Sequence, residues 1–133
     1  MDTMNRIFVF FLLTLTGLTN VCAQRIFDGS GRELGRVDAE RYYDASGRNI
    51  GRTDGLTVYD GSGRQLGRID GERVYNASGS QIGRIDGDRL YSGSGTQMGR
   101  IDGERVYDGS GRQIARSDGL RRMQTIIYFF FFM

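Results

Sequence analysis

The chain has 133 residues, with 18 basic and 16 acidic side chains, a formal net charge of +2 and a mean hydropathy of -0.41. Every basic residue is Arg, and there is no His, Pro or Trp. The length allows one domain, and so even a charge balance argues against nucleic-acid binding, which needs a basic excess on one face.

Residues 1–23 read as a secretory signal peptide. Arg6 closes a short charged start, residues 7–18 form an apolar run, and Val21-Cys22-Ala23 puts small residues at a cleavage site, predicted after Ala23. The run falls short of the roughly 20 residues of a membrane-spanning helix. Cys22 raises lipid attachment, but Thr19-Asn20-Val21 before it is a poor recognition sequence. The expected location is the periplasm, the cell surface or the medium, with no transmembrane span in the mature chain. From Gln24 onward there is no Cys and no His. The mature protein therefore has no disulfide, Cys/His zinc site, Cys nucleophile or His base. No catalytic residue, cofactor or metal is expected.

From Arg25 the sequence repeats every 16 residues, with copies starting at Arg25, Arg41, Thr57, Arg73, Arg89 and Arg105 and the last ending at Leu120. Each copy joins two short β-favouring pieces, such as Val74-Tyr75 and residues 82–85, through Gly-rich turn chemistry at residues 76–79 and at Asp86-Gly87. Pieces of 4 to 6 residues are strand-sized. The prediction is an all-β, single-domain meander of about twelve strands in tandem hairpins.

Register follows from pair chemistry. A two-residue turn centred on Gly71-Glu72 sets Asp70 against Arg73, Ile69 against Val74 and Arg68 against Tyr75. Centring it on Asp70-Gly71 would set Arg68 against Arg73. The first register is preferred, with Gly leading as in a type II′ turn; Ala39 departs from it. Strict alternation puts Leu66 on the face opposite Gly67, Ile69 and Val74. Either a bulge at Gly67 turns Leu66 inward, or both faces are partly buried. Five complete hairpins then span 34–44, 50–60, 66–76, 82–92 and 98–108. Residues 25–28 and 113–116 are left as the halves of a sixth. A radial arrangement closes the edges; an open solenoid is the rival.

The pattern Ile/Leu-Gly-x-Ile-x-Asp-Gly-x-x-Val, carried by residues 66–74, 82–90 and 98–106 after a leader ending in Ala-Gln, resembles the 5-fold β-flower proteins of Bacteroides and relatives. The resemblance covers nearly the whole mature chain. It implies radially arranged hairpins and no established activity. Residues 41–48, Arg-Tyr-Tyr-Asp-Ala-Ser-Gly-Arg, are more weakly similar to YD or Rhs repeats, which build larger shells.

Two ladders are the candidate site: Arg36, Arg52, Arg68, Arg84 and Arg100, continued by Arg116, and Tyr43, Tyr59, Tyr75, Tyr91 and Tyr107. Arginines repeated on one line could hold an anionic glycan or phosphate multivalently, and tyrosines could stack sugars. The plainer reading pairs the arginines with Asp38, Asp54, Asp70, Asp86, Asp102 and Asp118 on a solvated face and half-buries the tyrosines. Asp-Gly-Ser-Gly at Asp28, Asp60 and Asp108 is read as a turn, since the spacing fits neither an EF-hand nor a calcium β-roll.

Residues 121–133 end in a bare apolar run, Ile126 to Met133, too short for a spanning helix. It is expected to pack into or against the repeats (1–23 leader, 24–120 repeats, 121–133 tail) as a terminal strand or plug. A dimer contact and a membrane-touching tail are the alternatives. The function expected is an exported, non-enzymatic structural or interaction module. A carbohydrate-binding module using the Arg and Tyr ladders comes second, and a glycosidase third, because six near-identical repeats give carboxylates no contrast in environment. The candidate partners are a glycan, an envelope protein or a second copy through the apolar tail.

Overall fold

The structure is a computed structural model and describes residues 24–133. The leader and Cys22 lie outside the described residues. The repeats form twelve strands, alternately short and long: β1 (Arg25–Asp28), β2 (Glu33–Asp38), β3 (Arg41–Asp44), β4 (Asn49–Asp54), β5 (Thr57–Asp60), β6 (Gln65–Asp70), β7 (Arg73–Asn76), β8 (Gln81–Asp86), β9 (Arg89–Ser92), β10 (Gln97–Asp102), β11 (Arg105–Asp108) and β12 (Gln113–Asp118). Each strand pairs antiparallel with the next, and β12 pairs with β1, so the sheet is a closed barrel. The two ends of the repeat region thus supply the sixth hairpin, with Asp118 opposite Arg25 and Ser117 opposite Ile26. Closure leaves no free sheet edge, and the open solenoid is ruled out.

The register is the one that pair chemistry favoured. Asp70 faces Arg73, Ile69 faces Val74 and Arg68 faces Tyr75. Gly55, Gly71, Gly87 and Gly103 have φ between 59° and 64°, and the residue after each stays at negative φ, as a turn with Gly first requires. Ala39 takes the same left-handed conformation, with φ 56°. A β-carbon is strained there.

Neighbouring hairpins meet across a bulge. Val74 faces Gly83 but Tyr75 faces Gln81, so Ile82 is an extra residue. The same shift recurs at every junction between hairpins. The bulge residues Leu34, Ile50, Leu66, Ile82 and Ile114 pack against the core. A bulge turning Leu66 inward is therefore the alternative realised.

Twelve strands enclose more room than side chains alone can fill, since about eight already make a barrel that side chains just close. The C-terminal segment fills the rest. It is helical rather than a strand: α1 (Arg122–Ile127) continues into one π-helical stretch, Tyr128–Phe132. Ile126, Ile127 and Tyr128 are buried among Ile26, Val37, Val58, Val74, Leu90 and Val106. The helix is pinned at the turn end of the barrel. Gln124 accepts from the Arg121 backbone N–H at 2.8 Å and donates to the Ala39 carbonyl at 3.0 Å, while Arg122 donates to the Gly87 carbonyl.

The aromatics are distributed around the lumen. A β-carbon on Gly99, Gly83, Gly67 or Gly51 would run into the ring of Phe129, Phe130, Phe131 or Phe132 in turn, and one on Gly35 would sit 3.1 Å from the Tyr128 hydroxyl. Five aromatics thus occupy five of the six equivalent positions, and the sixth carries the buried Ala115. Four residue steps cross five sixths of a turn, about 75° per residue, whereas an α-helix winds about 100°. The looser winding of a π-helix brings consecutive rings closer to the spacing of consecutive hairpins.

Candidate functional site

With the lumen filled, the chemistry available to a partner lies on the outer wall. Register carries one row of side chains obliquely across each pair of hairpins. One row runs Asp118, Arg25, Arg36, Tyr43, Asn49. The next runs Asp38, Arg41, Arg52, Tyr59, Gln65. The remaining rows follow the same order, with Thr57 in place of the first Arg in one, and Phe27 and Glu33 in place of Tyr and the amide in another.

The predicted ladder residues come together as stacked pairs. The guanidinium carbons of Arg36, Arg52, Arg68, Arg84 and Arg100 lie 4.2 to 4.3 Å from the ring centroids of Tyr43, Tyr59, Tyr75, Tyr91 and Tyr107. Arg116 lies 4.6 Å from the ring of Phe27. Cation–π contact rather than cross-strand ion pairing therefore organises the ladder. The expected carboxylate partners are met only in part. Arg68, Arg84 and Arg100 reach Asp70, Asp86 and Asp102 on their own strands at 3.6 to 3.7 Å, with the aspartates well exposed and the arginines half-buried. Such pairs contribute little. Among the described residues no ion pair joins Asp38, Asp54 or Asp118 to the ladder.

Sequence reasoning missed a second set of arginines. Across five of the six hairpin junctions, Arg25 faces Arg36, Arg41 faces Arg52, Arg73 faces Arg84, Arg89 faces Arg100 and Arg105 faces Arg116, while Thr57 faces Arg68 at the other. Like charges directly opposite are unfavourable by themselves. Arg stands at residue one of five of the six copies, but the facing depends on the bulge, which shifts the register by one residue.

At the other end of the barrel each Asp-Gly-Ser-Gly loop is built around its own carboxylate. Asp60 Oδ1 accepts from the Ser62 N–H, the Ser62 hydroxyl and the Arg64 N–H at 2.8 to 2.9 Å. Asp28, Asp44 and Asp108 do the same. The serine hydroxyl bond first, then the backbone N–H four residues on, holds these carboxyls below the ordinary carboxylate range. Inside the barrel, burial pushes the Tyr42 and Tyr128 hydroxyls up.

Two surface grooves lie between loops and strands at equivalent places in different repeats. One, of about 350 Å³, is lined by Arg41, Tyr43, Asn49, Arg52 and residues 60–63. The other is lined by residues 28–30 and 112–114.

These features define a class: a closed β-barrel of tandem hairpins, plugged by its own C-terminus, with a repeated Arg and Tyr surface. The chain belongs to the 5-fold beta-flower protein family, whose model matches residues 23–133. No curated protein and no solved structure matches it.

Proposed function

We propose that this β-flower chain is an exported, non-enzymatic interaction module of the periplasm or cell surface, which meets its partner through the outer wall of the barrel. The observation that carries this reading is the docking of residues 128–132 on the inner glycines. It takes the interior, where barrels commonly hold ligands, out of play. Six near-identical rows suit repeated weak contacts to an extended partner better than a single reaction centre, which needs groups in contrasting environments. The leader with Ala23 supports export.

A carbohydrate-binding role for the ladders is the second reading, and the stacked pairs give it a direction. Each guanidinium covers one face of a ladder tyrosine. That face is closed to a sugar ring, while the guanidinium edges keep donors for an anion.

The test combines fractionation with retention. Cells expressing the full chain should yield an exported form whose mass starts at Gln24. That form should retain envelope glycan or protein, and Arg68→Ser with Arg84→Ser and Arg100→Ser should release it. A chain left in the cytoplasm with residues 1–23 attached, or retention indifferent to the triple substitution, overturns the proposal.

A further inference from the structure

The groove at Arg41 and Arg52 differs from its counterparts at several positions. Position 49 is Asn where copies three to six have Gln65, Gln81, Gln97 and Gln113. Asn is one methylene shorter, and its amide is turned back to the carbonyls of Tyr42 at 3.4 Å and Gly51 at 3.2 Å. Gln81 turns its amide back to the Gly83 carbonyl in the same way, at 3.3 Å. Arg52 is exposed, while Arg36, Arg68, Arg84, Arg100 and Arg116 are half-buried. Neither Arg41 nor Arg52 has a carboxylate in ion-pair range among the described residues. The following copy begins with Thr57 where the others begin with Arg.

A second groove lies at the same place by the repeat and is lined by Asp28, Gly29, Ser30, Arg112, Gln113 and Ile114. The arginine pair of that repeat, Arg105 opposite Arg116, is chemically the same, yet neither residue lines that groove. An arginine pair is thus not enough; only in the groove that holds the shorter Asn49 do both arginines line the wall. Asp60, on the far lip, already spends Oδ1 on three donors within its own loop.

We infer that the groove between Arg41, Asn49, Arg52 and the 60–63 loop binds one tetrahedral oxyanion, a phosphate or sulfate group. Two unneutralised guanidiniums side by side offer forked donors to such a group. With Tyr43, Asn49 and Ser62 at the rim, the group can arrive as an ester on a sugar as well as a free ion. This rests on the reading of the outer wall as the binding surface and assigns it one specific site.

Titration calorimetry on mature protein at low salt, with inorganic phosphate, inorganic sulfate, a hexose phosphate, a sulfated disaccharide and the uncharged sugars, tests it. Wild type should bind a charged probe and none of the uncharged ones. Asn49→Gln, which keeps both arginines, and Arg41→Ser with Arg52→Ser should each weaken binding about tenfold or more. Arg105→Ser with Arg116→Ser should leave it unchanged, and circular dichroism should show every variant folded. A stronger affinity for the esters assigns the site to a sugar-borne group, and equal affinity for the inorganic ions assigns it to the free ion. Equal loss in both arginine variants overturns the groove and leaves a diffuse charged wall. No binding of any probe overturns it too, and the outer-wall reading is then decided by its own retention experiment.

Discussion

Phe131 sets its ring edge against Gly67, where a β-carbon would stand 2.7 Å from the nearest ring atom and closer still to the Tyr75 carbonyl oxygen. The glycine in Leu-Gly-Arg is therefore a socket for an aromatic side chain from the C-terminal helix as well as a strand residue. Gly67→Ala should destabilise the barrel by about 1–3 kcal/mol, the cost of overpacking a close-packed interior. Urea unfolding followed by circular dichroism measures it. In a Phe131→Ala background the ring part of that cost should vanish and the carbonyl part remain, giving a non-additive cycle.

Position 115 should respond with the opposite chemistry. Ala115 is buried where no glycine socket exists, so the repeat-matching substitution Ala115→Gly removes a packed methyl and loosens the strand. A loss of about 1 kcal/mol is expected from the same unfolding measurement. A gain would show that the aromatic docking pattern does not set the choice of Gly or Ala.

Ala39 holds a φ of 56° in a turn where four other copies use Gly. Ala39→Gly relieves about 1–2 kcal/mol of left-handed strain and gives back part of it as chain entropy in the unfolded state. The net expectation is a stabilisation of about 0.5–1 kcal/mol, read as a rise in the thermal midpoint.

The stacked wall pairs are open to a double-mutant cycle. Arg68→Ser, Tyr75→Leu and the double variant should give a coupling of about 0.5–1 kcal/mol for a half-exposed cation–π pair. The coupling should change little with salt, because the ring is uncharged. A coupling that collapses in high salt would instead assign Arg68 to its ion pair with Asp70.

The loop carboxylates predict the acid limb of stability. Asp28, Asp44, Asp60 and Asp108 titrate below the ordinary value of 3.8 when folded. A depressed folded value means that their contribution is present above that value and is lost as pH falls through the folded one. Urea midpoints should therefore drop on acidification below about pH 4. Asn76 makes the same three loop bonds without a charge. Replacing the four aspartates by Asn should flatten the acid limb while keeping the loops.

Much of this was legible before any coordinates. The period, the hairpin register through Asp70–Arg73 and Arg68–Tyr75, the turns with Gly leading and the odd Ala39 all follow from pairings a few residues apart. Pair chemistry there is local enough to choose one register over another. The pairing of Arg41 with Arg52 was not legible, and the inward turn of Leu66 stood only as one of two alternatives, because both depend on a bulge that strict alternation cannot choose. The candidate site was half visible: Arg and Tyr ladders were read from their recurrence, but the stacking that covers one face of each tyrosine was not used to join them. The arginines at residue one of five copies were read only as turn partners such as Arg73 and not as part of the site.

The sequence by itself determined a six-copy hairpin repeat, because turn chemistry and cross-strand pairs act over a few residues; the closing pair of β12 with β1 came from the structure. Only the tertiary structure decided what residues 126–133 become. Their composition favours a strand, but a twelve-strand lumen supplies glycine sockets at hairpin spacing. The docking of Phe129 through Phe132 on Gly99, Gly83, Gly67 and Gly51 couples residues that lie 30 to 81 positions apart in the chain. No local propensity carries information over that distance; the closed barrel brings them together, and the packing of ring on backbone sets the winding of the helix.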